Sequence, residues 1–246
     1  MISEIQIEFL DSIDSTNIYL SNLLENNDLP NGYCIVANFQ TAGRGQVGNV
    51  WESEKGQNLL FSILLKTEKI PLNEQFMLSK IVSIAIYNVL KNNGIETKIK
   101  YPNDIFYEDK KLAGILIENK IVGNKMKNSI VGIGLNVNQL EFVENKYTAI
   151  SMRNITKIIY EKKIILQSLI NQIVLLLNNF EINNKDWYET EYFKHLYRNS
   201  GYFSYEANNE VFEAKIISVS PNGKLKLLTN NNIEKDFCFK EVKFIL

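Results

Sequence analysis

The residue types best suited to chemistry lie in a glycine-rich stretch that runs from Gln40 to Trp51. Gly43 and Gly45 flank Arg44 in this stretch. Glycine lets a backbone pass close to a ligand or adopt a positive φ, and a guanidinium offers a planar fork that suits phosphate or carboxylate. The stretch therefore predicts a loop that folds over an anionic ligand.

The same loop contains the spacing G-x-G-x-x-G, which ends at Gly48 and is the fingerprint of dinucleotide-binding folds. The fingerprint is meaningful only where a strand precedes it and a helix opens on it. Residues 33–39 have the apolar character of a strand, but residues 49–58 show no helical spacing and residues 59–65 resemble another strand. A nicotinamide-dependent oxidoreductase is therefore disfavoured. A merely flexible loop would account for the glycines, but not for the arginine and tryptophan among them.

A second polar stretch follows a predicted strand at residues 98–101, where Pro102 breaks the strand and presents Asn103 and Asp104 beyond it. The charged run after the next short strand is typical of a solvated hairpin tip. Lys111 is the last charge of that run and stands directly before an apolar strand. Its stem is therefore predicted to lie at the sheet and its ammonium to face a cleft.

Glycines recur inside two further predicted strands. Gly114 lies within an apolar strand at residues 112–118, where a glycine indicates close approach of a ligand or of backbone. Gly132 and Gly134 alternate with isoleucine and leucine, so one face of their strand carries almost no side chains. A flat ligand and a closely packed helix fit that face equally well.

Four consecutive polar residues, Asp14 to Asn17, precede an apolar spacing typical of a helix face. Any of them could be the helix N-cap, which is the more common role for such residues. Hydroxyls beside the free backbone N–H groups of a helix N-terminus also suit a polar ligand. The two roles are compatible.

A sheet and several helices must position these residues. Three segments show the apolar spacing of helices, namely 71–94, 156–178 and 188–197. From about Gly201 the chain changes to short strands separated by turns, at residues 202–205, 211–219, 224–228 and 241–246. We expect an α+β fold in which residues 1–198 carry the site and residues 199–246 form a small β domain docked on it.

The composition limits which classes of protein the sequence can represent. With 45% hydrophobic residues the 246-residue chain can bury a substantial core, and its formal net charge of −1 gives no electrostatic case for nucleic-acid binding. The sequence has neither an apolar run of about 18 residues nor a signal-peptide pattern, so we expect a cytoplasmic protein. Cys34 and Cys238 are expected to be buried free thiols. His195, the single histidine, is expected at the surface or in helix packing, and no Cys/His cluster has metal-ligand spacing.

The motifs described above occur in one order along the chain, and together they resemble the signature motifs of biotin–protein ligases. Members of that family usually carry G-R-G-R, K-W-P-N-D and R-K-L-A-G-I-L. The corresponding segments here are the glycines around Arg44, Lys100-Tyr101-Pro102-Asn103-Asp104 and Lys110-Lys111-Leu112-Ala113-Gly114-Ile115-Leu116. Asp14-Ser15-Thr16-Asn17 and Gly132-Ile133-Gly134-Leu135-Asn136-Val137-Asn138 also match. The resemblance covers about Ile13 to Asn138 and extends more weakly to the end.

The resemblance implies a fold and an activity. The fold would be a mixed β-sheet with flanking helices, as in biotin ligases and class II synthetases, followed by a small C-terminal SH3-like β-barrel. The family couples biotin to ATP, with Mg²⁺, to give biotinyl-5′-adenylate and pyrophosphate. It then transfers biotin to a lysine on the biotin carboxyl carrier protein or domain of a carboxylase. A monomer or homodimer is expected, with no nucleic-acid or membrane partner.

The resemblance also implies residue roles. Arg44 and Lys111 would be catalytic, at the carboxylate and the α-phosphate, while Ser15, Thr16 and Gln40 would hydrogen-bond the ureido head of biotin. The full expected biotin site is Ser15, Thr16, Asn17, Gln40, Gly43, Arg44, Gly45, Gln46, Lys111, Gly114, Gly132 and Gly134. The expected nucleotide site is Arg44, Trp51, Lys100, Asn103, Asp104, Lys111 and Asn136. No protein residue is assigned as a metal ligand.

Two positions depart from the family pattern. Tyr101 replaces the tryptophan of K-W-P-N-D and keeps an aromatic side chain, whereas Gln46 replaces the second arginine of G-R-G-R and removes a cation. We therefore expect the adenylate to leave more readily than it leaves a G-R-G-R relative. The motifs begin so near the first residue that a preceding helix-turn-helix domain is not expected.

Three further expectations concern alternatives and the C-terminal domain. A lipoate–protein ligase has similar chemistry, but its Arg-Arg-x-Ser-Gly-Gly-Gly type motif is not seen. A non-catalytic biotin or nucleotide sensor would need neither Arg44 nor Lys111 at a reacting phosphate. By position alone, Lys240, Glu241 and Lys243 are candidates to reach the ATP.

Overall fold

The computed structural model describes residues 5–46, 49–142 and 149–245. Its main sheet has seven strands in the order β1-β2-β3-β7-β6-β5-β4, and β1 is parallel to β2 while the other neighbours are antiparallel. The strands are β1 Ile7–Ile13, β2 Cys34–Gln40, β3 Leu59–Lys66, β4 Lys98–Lys100, β5 Asp104–Tyr107, β6 Lys110–Val122 and β7 Lys125–Leu135. The predicted mixed sheet is thus confirmed.

Five helices accompany this sheet in the described residues, namely α1 Thr16–Asn26, α2 Met77–Asn92, α3 Met152–Thr156, α4 Lys162–Asn179 and α5 Lys185–Lys194. Apolar side chains of α2 and α4 are buried in the same core as those of the sheet. Helix α2 ends where predicted, since Gly94 adopts a φ of 75° that few other residues tolerate. The sheet, α2 and α4 therefore share one hydrophobic core, whereas Leu20 of α1 packs in a separate, smaller cluster with Ile35, Leu64 and Ile130.

Several helix boundaries differ from the sequence prediction. Helix α2 begins at Met77 and not at residue 71, because a short 3₁₀ turn at Leu72–Glu74 precedes it, and α5 begins at Lys185 and not at residue 188. Lys157 has a φ of 65°, which breaks the helical path after α3, so α4 begins at Lys162 and not near residue 156. Helix α5 ends at Lys194 because the chain then pairs with β4. The amide of Ile99 donates to the carbonyl of His195, and the amide of Tyr197 donates to the carbonyl of Ile99.

A second, five-stranded antiparallel sheet follows and is consistent with the expected SH3-like domain. Its order is β11-β10-β9-β8-β12, with β8 Phe203–Ala207, β9 Glu210–Val219, β10 Leu225–Thr229, β11 Glu234–Phe237 and β12 Lys243–Phe244. The sequence prediction missed β11, because three of its four residues are charged and it has no apolar alternation.

The small sheet docks on the main domain through backbone groups and buried side chains. The Tyr101 hydroxyl donates to the carbonyl of Gly223 at 2.7 Å, and the amide of Phe76 donates to the carbonyl of Pro221 at 3.1 Å. Lys80, only 2% exposed, donates to the carbonyl of Val219 at 3.3 Å. Burial raises the pKa of Tyr101 and lowers that of Lys80. The expected docking of the C-terminal strands is therefore observed.

The remaining composition-based expectations have mixed outcomes. Both cysteines are free, but only Cys34 is buried, which raises the pKa of its thiol, whereas Cys238 is exposed. His195 packs as predicted, stacked on Tyr87 with 3.7 Å between ring centroids, and burial lowers its pKa.

Among the described residues, no single helix is long and apolar enough to cross a membrane. Helix α4 and the helical segment Ile182–Lys194 satisfy the length and composition criteria only when joined across a 103° bend.

Candidate active site

A cleft of about 1000 Å³ lies between the main sheet, the glycine-rich loop and the C-terminal sheet. Every predicted site residue except Gly43 lines it. These residues are Ser15, Thr16, Asn17, Gln40, Arg44, Gly45, Gln46, Trp51, Lys100, Asn103, Asp104, Lys111, Gly114, Gly132, Gly134 and Asn136. The fold thus brings together residues that are up to 121 positions apart in sequence (from 15 to 136).

One part of the cleft wall is the start of α1. Ser15 is the N-cap residue, so the prediction that one of these four polar residues occupies the N-cap is confirmed, but its side chain makes no capping hydrogen bond. The backbone amide of Thr16 instead donates to Gln40 Oε1 at 2.7 Å, and the Thr16 hydroxyl oxygen lies 3.1 Å from the same oxygen. A side chain from β2 therefore satisfies a donor at the helix start.

Ser62 on β3 was not predicted; it does not itself line the cleft but contacts two residues of this wall from behind. Its Oγ lies 2.7 Å from Thr16 Oγ1 and 2.6 Å from Asn17 Oδ1, and the residue is fully buried. We call Thr16, Asn17, Gln40 and Ser62 the floor cluster. The signal was present in the sequence, because Ser62 is the only polar residue in the apolar run 59–65 and a buried hydroxyl needs a partner.

The bare glycine face contacts two different protein groups. A Cβ added at Gly132 would lie 2.2 Å from Asn17 Oδ1, so helix α1 occupies that position. A Cβ at Gly134 would lie 2.4 Å from Trp51 Cε2, and one at Gly114 would lie 3.0 Å from Trp51 Cζ3. The interpretation of a closely packed helix therefore holds at Gly132, whereas the group over Gly134 is the aromatic ring of Trp51. Contact of these glycines with a ligand stays a prediction.

The glycine-rich loop folds back on itself. The amide of Gly45 donates to the carbonyl of Asn49, and the amide of Trp51 donates to the carbonyl of Gly43, both at 2.9 Å. A Cβ at Gly43 would lie 2.4 Å from the Trp51 carbonyl oxygen, which explains why glycine is needed there although it does not line the cleft. We call the described residues 43–46 and 49–51 the arginine loop. Gly48 lies outside the described residues.

No helix follows the arginine loop. Residues 52–58 contain turns, and β3 begins at Leu59. The prediction that the dinucleotide fingerprint lacks its helix is confirmed.

The cations of the cleft have defined partners. Lys111 Nζ lies 2.7 Å from Asp104 Oδ1 and 5.4 Å from the centroid of the Trp51 ring. Arg44 Nη1 lies 3.4 Å from Glu118 Oε1, a residue that the sequence analysis did not single out. The cation of Lys100, which is only 4% exposed, lies over two aromatic rings. Lys111 and Arg44 both remain in reach of an anion within the cleft, since 27% and 47% of their side chains are exposed.

The two asparagines assigned to the nucleotide have unequal surroundings. Asn103 Nδ2 donates to the carbonyl of Ile115 at 2.6 Å, so this side chain also braces β6. Asn136 Nδ2 donates to the carbonyls of Lys111 and Ile150 at 3.4 and 3.2 Å. Its Oδ1 is buried and has no hydrogen-bond partner within the described part of the chain, so it is an acceptor available to a ligand.

The C-terminal sheet contributes Lys240, Val242, Lys243 and Phe244 to the cleft. Two of the three candidates chosen by position therefore line it. Glu241 does not, and its carboxylate instead accepts a hydrogen bond from the amide of Cys238 at 2.6 Å. Lys243 is paired with Glu206 at 2.8 Å.

Comparison with known proteins places this geometry in a family. Residues 9–136, slightly more than half of the chain, match the model of the biotin/lipoate A/B protein ligase family. The bifunctional ligase/repressor BirA of Bacillus spizizenii is 39% identical over 132 residues, which cover 53% of this chain and 40% of that protein. The biotin–[acetyl-CoA-carboxylase] ligase of Mycobacterium tuberculosis is 29% identical over 138 residues, covering 54% and 50% of the two chains. These alignments thus span half or less of the curated relatives' lengths.

A solved structure extends the likeness to the whole chain. The biotin protein ligase of Aquifex aeolicus in complex with biotin and ATP superposes with a TM-score of 0.79 and 25% identity. The superposition covers 98% of this chain and 99% of that one, and so includes both sheets. Since the family model also covers the strands and loops that form the cleft, this chain belongs to the biotin/lipoate A/B protein ligase family.

Proposed function

We propose that this chain is an ATP-dependent biotin–protein ligase. It activates biotin as biotinyl-5′-adenylate and then transfers the biotinyl group to a lysine of a biotin carboxyl carrier domain. The observation that carries the proposal is the composition of the cleft, in which the uncharged residues Thr16, Asn17 and Gln40 of the floor cluster and the cations Arg44 and Lys111 border one cavity. Its volume of about 1000 Å³ is at the upper end of the range for small-molecule sites.

The floor cluster suits the ureido head of biotin. A cyclic urea is neutral and carries one acceptor and two donors, so it needs positioned hydroxyl and carboxamide groups and not charges. Thr16 and Asn17 are 4% and 2% exposed, which makes their hydrogen bonds costly to leave unmade. A ligand with an apolar ring in place of the urea, such as lipoate, leaves these groups unpaired.

The cations suit the adenylation step. An oxygen of the biotin carboxylate attacks the α-phosphorus of ATP, the bond to the β-phosphate breaks, and pyrophosphate leaves with its electron pair. Arg44 and Lys111 supply positive charge where the carboxylate approaches and where charge develops at the α-phosphate. Lys111 is held in place by Asp104 and by the Trp51 ring.

Magnesium is treated as part of the nucleotide substrate. Among the described residues no group of three His, Cys, Asp or Glu side chains is placed to hold a metal ion. Mg²⁺ commonly binds through one or two protein oxygens plus substrate phosphates and waters. Asp104 and the unpartnered Oδ1 of Asn136 are the oxygens that fit this part of the cleft. When bound, Mg²⁺ supplies positive charge to the leaving pyrophosphate.

In the transfer step, the amine of the carrier lysine attacks the acyl carbon of the adenylate. AMP leaves, and the amine loses a proton as the amide forms. We assign the site to a unit of residues 1–198, and residues 199–246 to a unit that closes the cleft with Lys240 and Lys243. The name of the Mycobacterium relative favours acetyl-CoA carboxylase as the source of the carrier.

Exchange of labelled pyrophosphate into ATP tests the activation step. We expect exchange that depends on biotin and requires no carrier protein. Lipoate is the matched control, because it offers the same carboxylate without the urea. Exchange with lipoate and none with biotin would reverse the proposed substrate, and no exchange with either would reject the activity.

A further inference from the structure

A continuous chain of polar contacts joins the floor cluster to the arginine loop. Asn17 is the link, since its Nδ2 donates to Glu118 Oε2 at 2.7 Å while its Oδ1 lies 2.6 Å from Ser62 Oγ. The other carboxylate oxygen of Glu118 lies 3.4 Å from Arg44 Nη1. Glu118 does not line the cleft, but it contacts two residues that do. Glu118 therefore connects the floor cluster to the arginine loop from a position outside the cleft.

The chemistry of these groups fixes the direction of the contacts. A carboxylate only accepts hydrogen bonds, so the atom of Asn17 that faces Glu118 must be the donor nitrogen. The carboxamide oxygen then faces Ser62, whose hydroxyl proton is directed at it. A Cβ at Gly132 would lie 2.2 Å from this oxygen, so Asn17 is also held sterically. Glu118 is thus anchored at one oxygen by a residue that is 98% buried (2% exposed).

The contact with Arg44 is of the opposite kind. The two side chains are 47% and 39% exposed, and their closest atoms are 3.4 Å apart. An exposed ion pair of this type is weak. A ligand carboxylate in the cleft can therefore compete with Glu118 for the guanidinium without breaking a buried interaction.

We propose that Glu118 is a positioning residue, an internal counter-ion that holds Arg44 beside the floor cluster in the ligand-free protein and yields it to the ligand's carboxylate. The inference rests on the proposed function, because it takes the ligand to be a biotin-like carboxylate. Its physical consequence is specific. Glu118 lowers the preference of the site for an anionic ligand over a neutral one of the same shape, and it restrains the arginine loop when the cleft is empty.

The first test compares biotin with biotinol, in which a hydroxymethyl group replaces the carboxylate, by calorimetric titration of the full chain. In Glu118→Gln the preference for biotin over biotinol should rise roughly 1.5- to 5-fold, as expected for loss of one exposed ion pair. In an Arg44→Ala background the same substitution should leave the preference unchanged. A similar change in affinity for both ligands, or a change that persists without Arg44, would overturn the inference. Glu234→Gln, which removes an exposed pair with Lys226 on the small sheet, is the matched control.

The second test needs no ligand and separates this inference from the proposed function. Trypsin cleaves after Arg44 and after Lys55, which is 58% exposed and paired with Asp11. Glu118→Gln should raise the rate of cleavage at Arg44 roughly 1.5- to 5-fold relative to Lys55. An unchanged ratio overturns the role of Glu118. A wild-type protein that binds neither biotin nor biotinol, with the ratio raised as expected, would instead reject the proposed function.

Discussion

The floor cluster and the arginine loop border the same cleft but are stabilised in different ways. In the floor cluster, Thr16, Asn17 and Ser62 are at most 4% exposed, and their polar atoms bond to one another. In the arginine loop, Arg44 is 47% exposed, and its one carboxylate contact with the described part of the chain is the weak pair with Glu118. The first region is a buried hydrogen-bond network, whereas the second carries one solvent-screened charge on a backbone that needs glycine at Gly43.

This difference predicts how each region responds to change. A buried donor or acceptor that loses its partner costs about 1–3 kcal/mol, whereas an exposed ion pair contributes about 0.2–1 kcal/mol. Substitutions in the floor cluster should therefore change ligand affinity strongly and depend little on salt. Substitutions in the loop should have smaller effects on binding that decrease as salt screens them. Lys111 belongs to neither region and should matter most for the rate of chemistry.

The largest effect is expected for Lys111→Ala. Loss of a charge that stabilises the developing phosphate charge in a preorganised site costs about 10²–10³ in rate. Single-turnover formation of the adenylate at saturating biotin and ATP measures this loss. Lys110→Ala is the matched control, because Lys110 is the neighbouring exposed lysine of the hairpin tip. A Lys111→Ala protein that kept full activity would refute the role assigned to this residue.

The next effect is expected for Ser62→Ala, which leaves the buried Oδ1 of Asn17 without its donor. We expect biotin binding to weaken by about 1–3 kcal/mol, which corresponds to a dissociation constant that is roughly 5- to 150-fold higher. Calorimetric titration at two salt concentrations should give the same change at both. A strong salt dependence would contradict the contrast between floor and loop.

Ser129→Ala is the matched control for this substitution. Ser129 is also a fully buried serine of the main sheet, but its partners Thr67 and Asn119 do not line the cleft. Ser62 differs in that its partners Thr16 and Asn17 do line the cleft. Its loss should lower the free energy of unfolding to a similar extent and leave biotin affinity unchanged. If both variants weaken biotin binding equally, the floor cluster acts through general stability and not through the ligand.

The sequence predicted the residues of the cleft better than it predicted their contacts. The glycine spacing, the polar residues at the start of β5 and the lysine at the start of β6 can each be recognised within a short segment of sequence, because each reflects the local conformation of the chain. Ser62 and Glu118 gain their roles only when β3, β6 and α1 meet in the folded sheet. A single serine within an apolar strand and a glutamate near a strand end have many structural roles, so neither could be assigned before the sheet order was known.

The same limit applies to the fold. Strands with apolar alternation and helices with a buried face were predicted, because one face of each must be buried. Strand β11 was missed because its stability comes from pairing with β10 and not from its own charged residues. The ring of Trp51 above Gly134 was likewise beyond local analysis. Both a small residue and the bulky group that covers it must be located before their fit can be seen.

The smallest effect is expected for Gln46→Arg, which introduces the cation that the G-R-G-R motif leads us to expect at this position. Gln46 lines the cleft within the arginine loop, so an added charge there gains an exposed, screened interaction with the adenylate. We expect the adenylate to dissociate roughly 1.5- to 5-fold more slowly at low salt, and the difference to shrink toward 1 M salt, where the screening length is about 3 Å. Gln46→Ala separates charge from side-chain packing, since it should not slow dissociation. No slowing in Gln46→Arg would mean that this position does not face the phosphate. Slowing that resists salt would mean that the loop buries the charge on closing, as the floor cluster buries its hydroxyls.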